Sequence, residues 1–309
     1  MKTIIGVLLA IIIIGAGAYW LMRPTALDAP GGGTQSGIEP TPPSGATTTA
    51  PEQQAAPQEA IGKSVEGRDI MAYHFRPAQA GGTGEKEILF VGGIHGGYDW
   101  NTVLVAQELI DALREDPSVI PTNVQVTVIP VLNPDGLQKV TGTSDTNFTA
   151  SDVSTSEATQ ISGRFNAHEV DLNRNFDCDW QASGTWQSRQ VSGGEKAFSE
   201  PESQALKAYV ESHAITAAVV WYSAAGGVFA SNCHDGVLPE TSTLTSLYAK
   251  ASGYKAYASF DFYSITGDAV NWLAKQKIPA ISVLLTTHTN VEWDKNLAGI
   301  KALLAHYAE

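Results

Sequence analysis

The sequence predicts an α/β protein: a sheet covered by helices on both faces, with a ligand site at the carboxyl ends of its strands. Three observations predict it. Apolar segments of strand length alternate with segments of helical period from residue 69 to residue 306. Several strand segments, at residues 124–132, 214–222 and 280–285, are almost continuously apolar, the pattern of strands buried on both faces. A glycine-flanked histidine, His95, with Asp99 four residues on, follows the short apolar strand at residues 88–91. Ligands of such sheets sit at that end of a strand.

Taken in order, the chain opens with Lys2 and an apolar stretch that runs to Met22. Its length is close to the ~20 residues that cross a bilayer, and Ala16-Gly17-Ala18 offers small residues for cleavage. Residues 1–23 therefore read as a transmembrane anchor or a signal peptide. The domain beyond is expected to be membrane-anchored and extracytoplasmic, or secreted. No cysteine lies near this segment, which excludes a lipoprotein anchor. Residues 24–61 are dominated by Pro, Gly, Thr, Ser, Ala and Gln, a composition that buries too little apolar surface to order itself, and read as a disordered linker. The folded domain is expected at residues 62–309.

Within it, residues 69–75 read as a strand followed by a Gly81-Gly82 turn. Residues 101–114 read as a helix, on the spacing of Val103, Val105, Leu109, Ile110 and Leu113. The strand at residues 124–132 is closed by Asn133-Pro134-Asp135-Gly136, a turn signal. Residues 199–212 read as a helix with Pro201 and two glutamates in its first turn. Residues 268–275 and 295–306 read as helices on either side of the strand at 280–285.

Composition narrows the function. Of 309 residues, 43% are hydrophobic and 17% charged, enough to bury a sizeable core, and the net charge is −13. An acidic chain with no Lys/Arg cluster argues against nucleic-acid binding and against docking on anionic membranes. Membrane contact is expected through the N-terminal segment alone. Imidazole and carboxylate are ordinary zinc ligands, and a catalytic zinc site needs about three protein ligands and an open position. On spacing alone His95 and Asp99 fit either that role or the decoration of a strand-to-helix turn, since no HExxH accompanies them.

Ordered motifs bear on this choice. Gly62-Lys63-Ser64-Val65-Glu66-Gly67-Arg68, Gly92-Gly93-Ile94-His95-Gly96, Pro130-Val131-Leu132-Asn133-Pro134-Asp135-Gly136, Val170-Asp171-Leu172-Asn173-Arg174-Asn175-Phe176, Phe198-Ser199-Glu200-Pro201-Glu202 and Tyr263-Ser264-Ile265-Thr266-Gly267-Asp268 follow one another along the domain. Together they resemble the zinc carboxypeptidases of the carboxypeptidase A type. The resemblance implies a three-layer α/β sandwich around a mixed, mostly parallel central sheet. It also implies zinc as the cofactor and the C-termini of peptides or peptidoglycan stems as partners. His95 would be the first zinc ligand. Asp99 would be the carboxylate ligand, one place later than the family's Glu and one methylene shorter; Tyr98 stands at the usual position.

The resemblance further implies that Asn173 and Arg174 grip the free carboxylate of the substrate, a task suited to a planar guanidinium. Arg164 would stabilise the oxyanion, and Tyr263 would lie over the bound C-terminal residue. Read without the family, the two arginines are surface residues paired with Asp171 and Glu169. The pattern departs from the family at two places. Tyr222 stands where the third zinc ligand, a His, is expected, and Leu284 where the general-base Glu is expected. Leucine cannot take a proton from water.

His234, His288 and Glu292 lie near these positions and are the candidates to substitute for the missing groups, but they read as solvated polar residues. His74, His168, His213 and His306 read as surface or strand-end histidines. Cys178 and Cys233 follow segments that border the site in the implied fold. They form one bridge if the domain folds outside the cytosol, or remain two buried thiols. Two functions are left: an exported carboxypeptidase-like protein that recognises C-terminal carboxylates with impaired or lost hydrolysis, or an active metallocarboxypeptidase with an atypical ligand set.

Overall fold

A computed structural model describes residues 57–78 and 82–308. The expected anchor at residues 1–23 and the linker as far as residue 56 lie outside the described residues. The first strands are β1 (Gln58–Lys63), β2 (Asp69–Phe75) and β3 (Lys86–Val91), followed by α1 (Trp100–Glu115), β4 (Val124–Ile129), α2 (Pro134–Thr141) and α3 (Glu157–Ser162). A hairpin, β5 (Ser183–Trp186) and β6 (Arg189–Ser192), precedes α4 (Pro201–Ser212), β7 (Ile215–Ser223) and β8 (Gly227–Ala230). The chain ends with α5 (Pro239–Ser252), β9 (Lys255–Tyr257), α6 (Ala269–Lys275), β10 (Ala280–Leu285) and α7 (Trp293–Tyr307).

Eight strands form one sheet in the order β1-β2-β4-β3-β7-β10-β8-β9. The central strands β4, β3, β7 and β10 are mutually parallel. β1 and β2 add antiparallel strands at one edge, and β8 runs antiparallel to β10 at the other with β9 parallel to it. The sheet is mixed and mostly parallel, and helices cover both faces, as the resemblance implies.

Period-two alternation along buried strands builds two cores. Ile88 and Phe90 of β3, Val219 and Trp221 of β7, and Ile281, Val283 and Leu285 of β10 point to one face, where α1, α5 and α7 pack through Leu109, Leu244, Tyr248 and Leu303. Leu89 and Val91, Val220 and Tyr222, and Leu284 point to the other, under α4 and α6 through Leu206, Tyr209, Trp272 and Leu273. Tyr222 and Leu284 therefore share a face.

The strand read at residues 124–132 ends at Ile129, and two further differences from the sequence reading have clear causes. β1 begins at Gln58, inside the stretch expected to be linker. Its residues are exposed or half-buried and carry no apolar alternation; the order comes from antiparallel pairing with β2. Asn133-Pro134-Asp135-Gly136 opens a helix instead of a turn. The Asn133 side chain accepts from the Gly136 amide at 2.8 Å and Pro134 occupies the first turn, a capping arrangement that uses the same residue types as a turn.

Candidate active site

The site grows from the loop after β3. The Gly92 and Gly93 carbonyls accept from the amides of Leu132 and Asn133 at 3.2 and 2.9 Å, which carries the loop across the end of β4. Gly96 has φ +48°, and a side chain there would come within 2.7 Å of the Gly163 carbonyl. At that position only glycine avoids both the strain and the clash. His95 is thus set in a buried position at the carboxyl end of β3.

His95 Nδ1 stands 2.8 Å from Asp99 Oδ2, and the Ser223 amide donates to the same oxygen at 3.3 Å. Asp99 is fully buried, so it is not the solvated turn residue of the plainer reading. It precedes α1 without capping it through its side chain. His288 Nδ1 lies 3.1 Å from Asp99 Oδ1, an ion pair when the imidazole is protonated. Burial works to raise the Asp99 carboxyl, and the imidazoles of His288 and His95 more than reverse it, holding the group well below the usual carboxylate range.

Arg164 is buried, with Nε and Nη2 both on Asp171 Oδ2, at 3.0 and 2.9 Å. Its guanidinium lies over the Trp186 ring of the β5–β6 hairpin, 4.5 Å from the centroid. The reading of Arg164 as paired with Asp171 is correct; its placement at the surface is not. Asp171 Oδ1 is 3.4 Å from His95 Nε2. Burial raises the Asp171 carboxyl, and the Arg164 charge with that of His95 outweighs it, leaving the group well below its ordinary value.

Tyr222 packs tilted against the His95 ring at 5.6 Å and donates its hydroxyl to Asn173 Oδ1 at 3.0 Å. Burial pushes that hydroxyl well above its usual range. Asn173 Oδ1 also accepts from the Ala269 amide at 3.2 Å, and Nδ2 donates to Asp268 at 2.9 Å. Leu284 pairs with Tyr222 in the β10–β7 ladder. Together these residues border a cavity of about 520 Å³, lined by His95, Arg164, Asn173, Tyr222, Leu284 and His288.

Residues 49–283 match the family model described as zinc carboxypeptidase. This chain belongs to the zinc carboxypeptidase family. The match ends at Val283, immediately before Leu284. Murein-tripeptide amidase MpaA from Escherichia coli O157 superposes with a TM-score of 0.58 at 23% identity, over 82% of this chain and 94% of that one. Carboxypeptidase A from Helicoverpa armigera gives 0.60 at 20%, over 82% and 67%. Bovine thrombin-activatable fibrinolysis inhibitor, in complex with tick carboxypeptidase inhibitor, gives 0.63 at 16%, over 82% and 90%. At these identities the likeness establishes the fold. A search of curated protein sequences found no match.

A zinc carboxypeptidase needs three protein donors for its metal. Two of them, the His95 imidazole and the Asp99 carboxylate, are adjacent here and fit zinc in type. Where the resemblance expects the third donor stands Tyr222, whose hydroxyl is turned to Asn173. Among the described residues, one group of three Cys, His, Asp or Glu donors lies within 4.8 Å of one another: Cys178, Cys233 and His234. Its two sulfurs are joined in a disulfide, so no thiolate is offered. His234 pairs with Asp179 in an exposed position and takes no part in the site. Zinc at His95 and Asp99 would supply a Lewis acid for a carbonyl oxygen.

The structure separates the two arginines. Arg174 donates from its amino nitrogens to the Ser264 and Thr185 carbonyls at 3.1 and 3.0 Å and lines a second cavity of about 510 Å³. It does not face the cavity that holds Arg164, and Asn173 is spent on Tyr222 and Asp268. Tyr263, 5.7 Å from the Arg174 guanidinium, borders both cavities. Neither arginine pairs with Glu169, which binds Lys139. Cys178 and Cys233 form the expected bridge across 55 residues. Glu292 is no solvated residue either: it accepts from the Thr286 amide at 2.7 Å and the Tyr254 hydroxyl at 2.9 Å. His288, read as solvated, reaches Asp99 instead. The sequence signal for it was its place just after the Leu284 strand, four residues before Glu292.

Proposed function

We propose that this chain is an exported zinc carboxypeptidase relative that binds peptides or peptidoglycan stems by their free C-terminal carboxylate and has lost most or all hydrolysis. The observation that carries the reading is Leu284 facing the cavity where the family has its base. With no side chain there to take a proton from water, the family's water-activation step lacks its acceptor. The binding half of the site survives. Arg164 lines the cavity and its Nη1 makes no hydrogen bond with any described residue. Arg174, buried and held by carbonyls instead of a carboxylate, borders the adjoining cavity across Tyr263. The buried disulfide and the apolar N-terminal segment support folding in an oxidising compartment outside the cytosol.

The test is calorimetric titration of the full chain with tripeptides ending in a free acid or an amide, alongside mass spectrometry for released residues. The free acid is expected to bind at least ~10-fold tighter, on the scale of charge-assisted hydrogen bonds, with no release. Equal affinities overturn carboxylate recognition, and steady release of the C-terminal residue overturns the loss of hydrolysis.

A further inference from the structure

We propose that Cys178, Cys233 and His234 form a latent metal site, separate from the candidate active site, that takes up a thiophilic divalent cation such as zinc once the disulfide between the two cysteines is reduced. One donor atom of each residue lies within 4.8 Å of the other two. Bonds of ~2.3 Å to sulfur and ~2.0–2.1 Å to nitrogen at tetrahedral angles place donors sharing one cation roughly 3.5–3.8 Å apart, so small side-chain shifts suffice. Two thiolates and one imidazole, with a fourth position open to water, are an ordinary zinc ligand class, and soft thiolates select such a cation over calcium or magnesium.

The two segments that meet here are built alike. Each cysteine is followed by a residue in the left-handed region, Asp179 at φ +53° and His234 at φ +54°. Asp and His adopt that conformation more readily than most side chains, but it persists only where the surroundings hold it. Here the two residues meet, with His234 Nε2 3.1 Å from Asp179 Oδ1. A carboxylate on one ring nitrogen is the arrangement that orients a ligating imidazole, and it leaves Nδ1 for the cation. Of the neighbouring carboxylates, Asp177 and Asp235 are taken by Lys275 and Lys277. His234 and Asp179 are exposed, while the two sulfurs are buried against Ala274 of α6.

In the oxidised chain the sulfurs offer no thiolate. A dithiol reductant cleaves the bridge, giving up two electrons and two protons and closing its own disulfide, and two thiols result. The cation then displaces both thiol protons to solvent and binds the two thiolates and His234. The same two segments are thus tied in either state, by a covalent bridge or by a metal clasp. The tie lies beside the wall of the main cavity. The Cys178 carbonyl accepts from the Gly267 amide at 2.8 Å, one residue before Asp268. The Asn232 amide, one residue before Cys233, donates to Asn271 Oδ1 at 2.9 Å. Asn232, Asp268 and Asn271 all line that cavity.

The test is titration of the full chain with Co²⁺ alone, in the oxidised form and after anaerobic reduction with a phosphine, which leaves no dithiol to compete for the metal. A sulfur-to-cobalt charge-transfer band in the near ultraviolet is expected for the reduced chain, saturating at one Co²⁺ per chain, and none for the oxidised chain. The band reports thiolate ligation and is silent to a cation at His95 and Asp99. His234→Ala, an exposed substitution, is expected to weaken binding by more than ~100-fold, and Asp179→Asn, which removes only the charge that orients the imidazole, by ~10–100-fold. Melting temperature separates a folded site from metal scavenged by loose thiols. Co²⁺ is expected to raise that of the reduced wild-type chain and not that of reduced His234→Ala. A reduced chain without the charge-transfer band overturns the proposal. So does wild-type affinity in His234→Ala, or an equal rise in melting temperature in both reduced chains.

Discussion

Leu284 and Tyr222 stand side by side across the β10–β7 ladder, paired in parallel register with both side chains on the cavity face. On the proposed reading, one sits at the position of a proton acceptor and the other at the position of a metal donor, on two strands that meet at one point of the cavity. The double variant Leu284→Glu, Tyr222→His returns both groups. With zinc supplied, it is expected to release C-terminal residues at least ~100-fold faster than the wild-type chain, the lower end of what a positioned general base contributes. Release is read by mass spectrometry, and no gain over wild type in a folded double variant would show that the cavity has changed in more than these two side chains.

Tyr222 has taken up a structural task in its new role. Its hydroxyl is one of two donors to Asn173 Oδ1, the other being the Ala269 amide. Tyr222→Phe leaves that oxygen with one partner and buries no new polar atom. A loss of about 1 kcal/mol is expected, the net worth of one buried hydrogen bond, measured as a lower urea midpoint with an unchanged slope. An unchanged midpoint would mean that the hydroxyl contributes nothing to stability.

What the sequence disclosed depends on how local each signal was. β10 is legible residue for residue, because Ala280 to Leu285 is apolar but for Ser282 and follows Pro279. β1 is not, because nothing in Gln58-Glu59-Ala60 favours a strand until β2 offers it hydrogen bonds. His95 and Asp99 stand out through glycines that only a tight loop requires. His288 carries no such mark; its place beside Asp99 comes from Asn101, which ties its loop to the start of α1 through the Thr287 and Asn290 carbonyls. Asn173 and Arg174 are neighbours in one motif and read as one grip. The short 3₁₀ turn at Leu172–Arg174 instead gives them different surroundings, Asn173 on the main cavity and Arg174 on the second.

The Arg164–Asp171 pair sets a pH dependence. The Asp171 carboxyl titrates below its unfolded value of about 3.9. The native state therefore binds fewer protons than the unfolded chain in acid, and stability rises with pH through that window. The contribution is fully present above the unfolded value and is lost as pH falls through the folded one. Asp171→Asn strands a buried guanidinium and is expected to cost about 3–5 kcal/mol at pH 7. The gap to wild type should narrow at pH 3, below the unfolded value, where the carboxyl of the unfolded chain takes up its proton while the folded one stays ionised. Urea unfolding at the two pH values measures it, and an equal gap at both would refute the pairing as the source.

The disulfide closes a long loop. Cys178 follows the turn that carries Asn173 and Arg174, and Cys233 follows β8, 55 positions further along the chain. Both cysteines are buried against Ala274 of α6, whose first turn starts at the Asp268 that Asn173 binds. Under the chain-entropy model, a loop of this length removes enough freedom from the unfolded chain to contribute about 4 kcal/mol. Cys178→Ser with Cys233→Ser is expected to lose that amount, seen as a lower melting temperature that no longer responds to reductant, while reductant lowers that of the wild-type chain. Because the bridge acts on the unfolded state, the peptide affinity of the folded variant should stay within a few-fold of wild type. A collapse of that affinity at full folding would instead make the bridge a brace of the cavity wall.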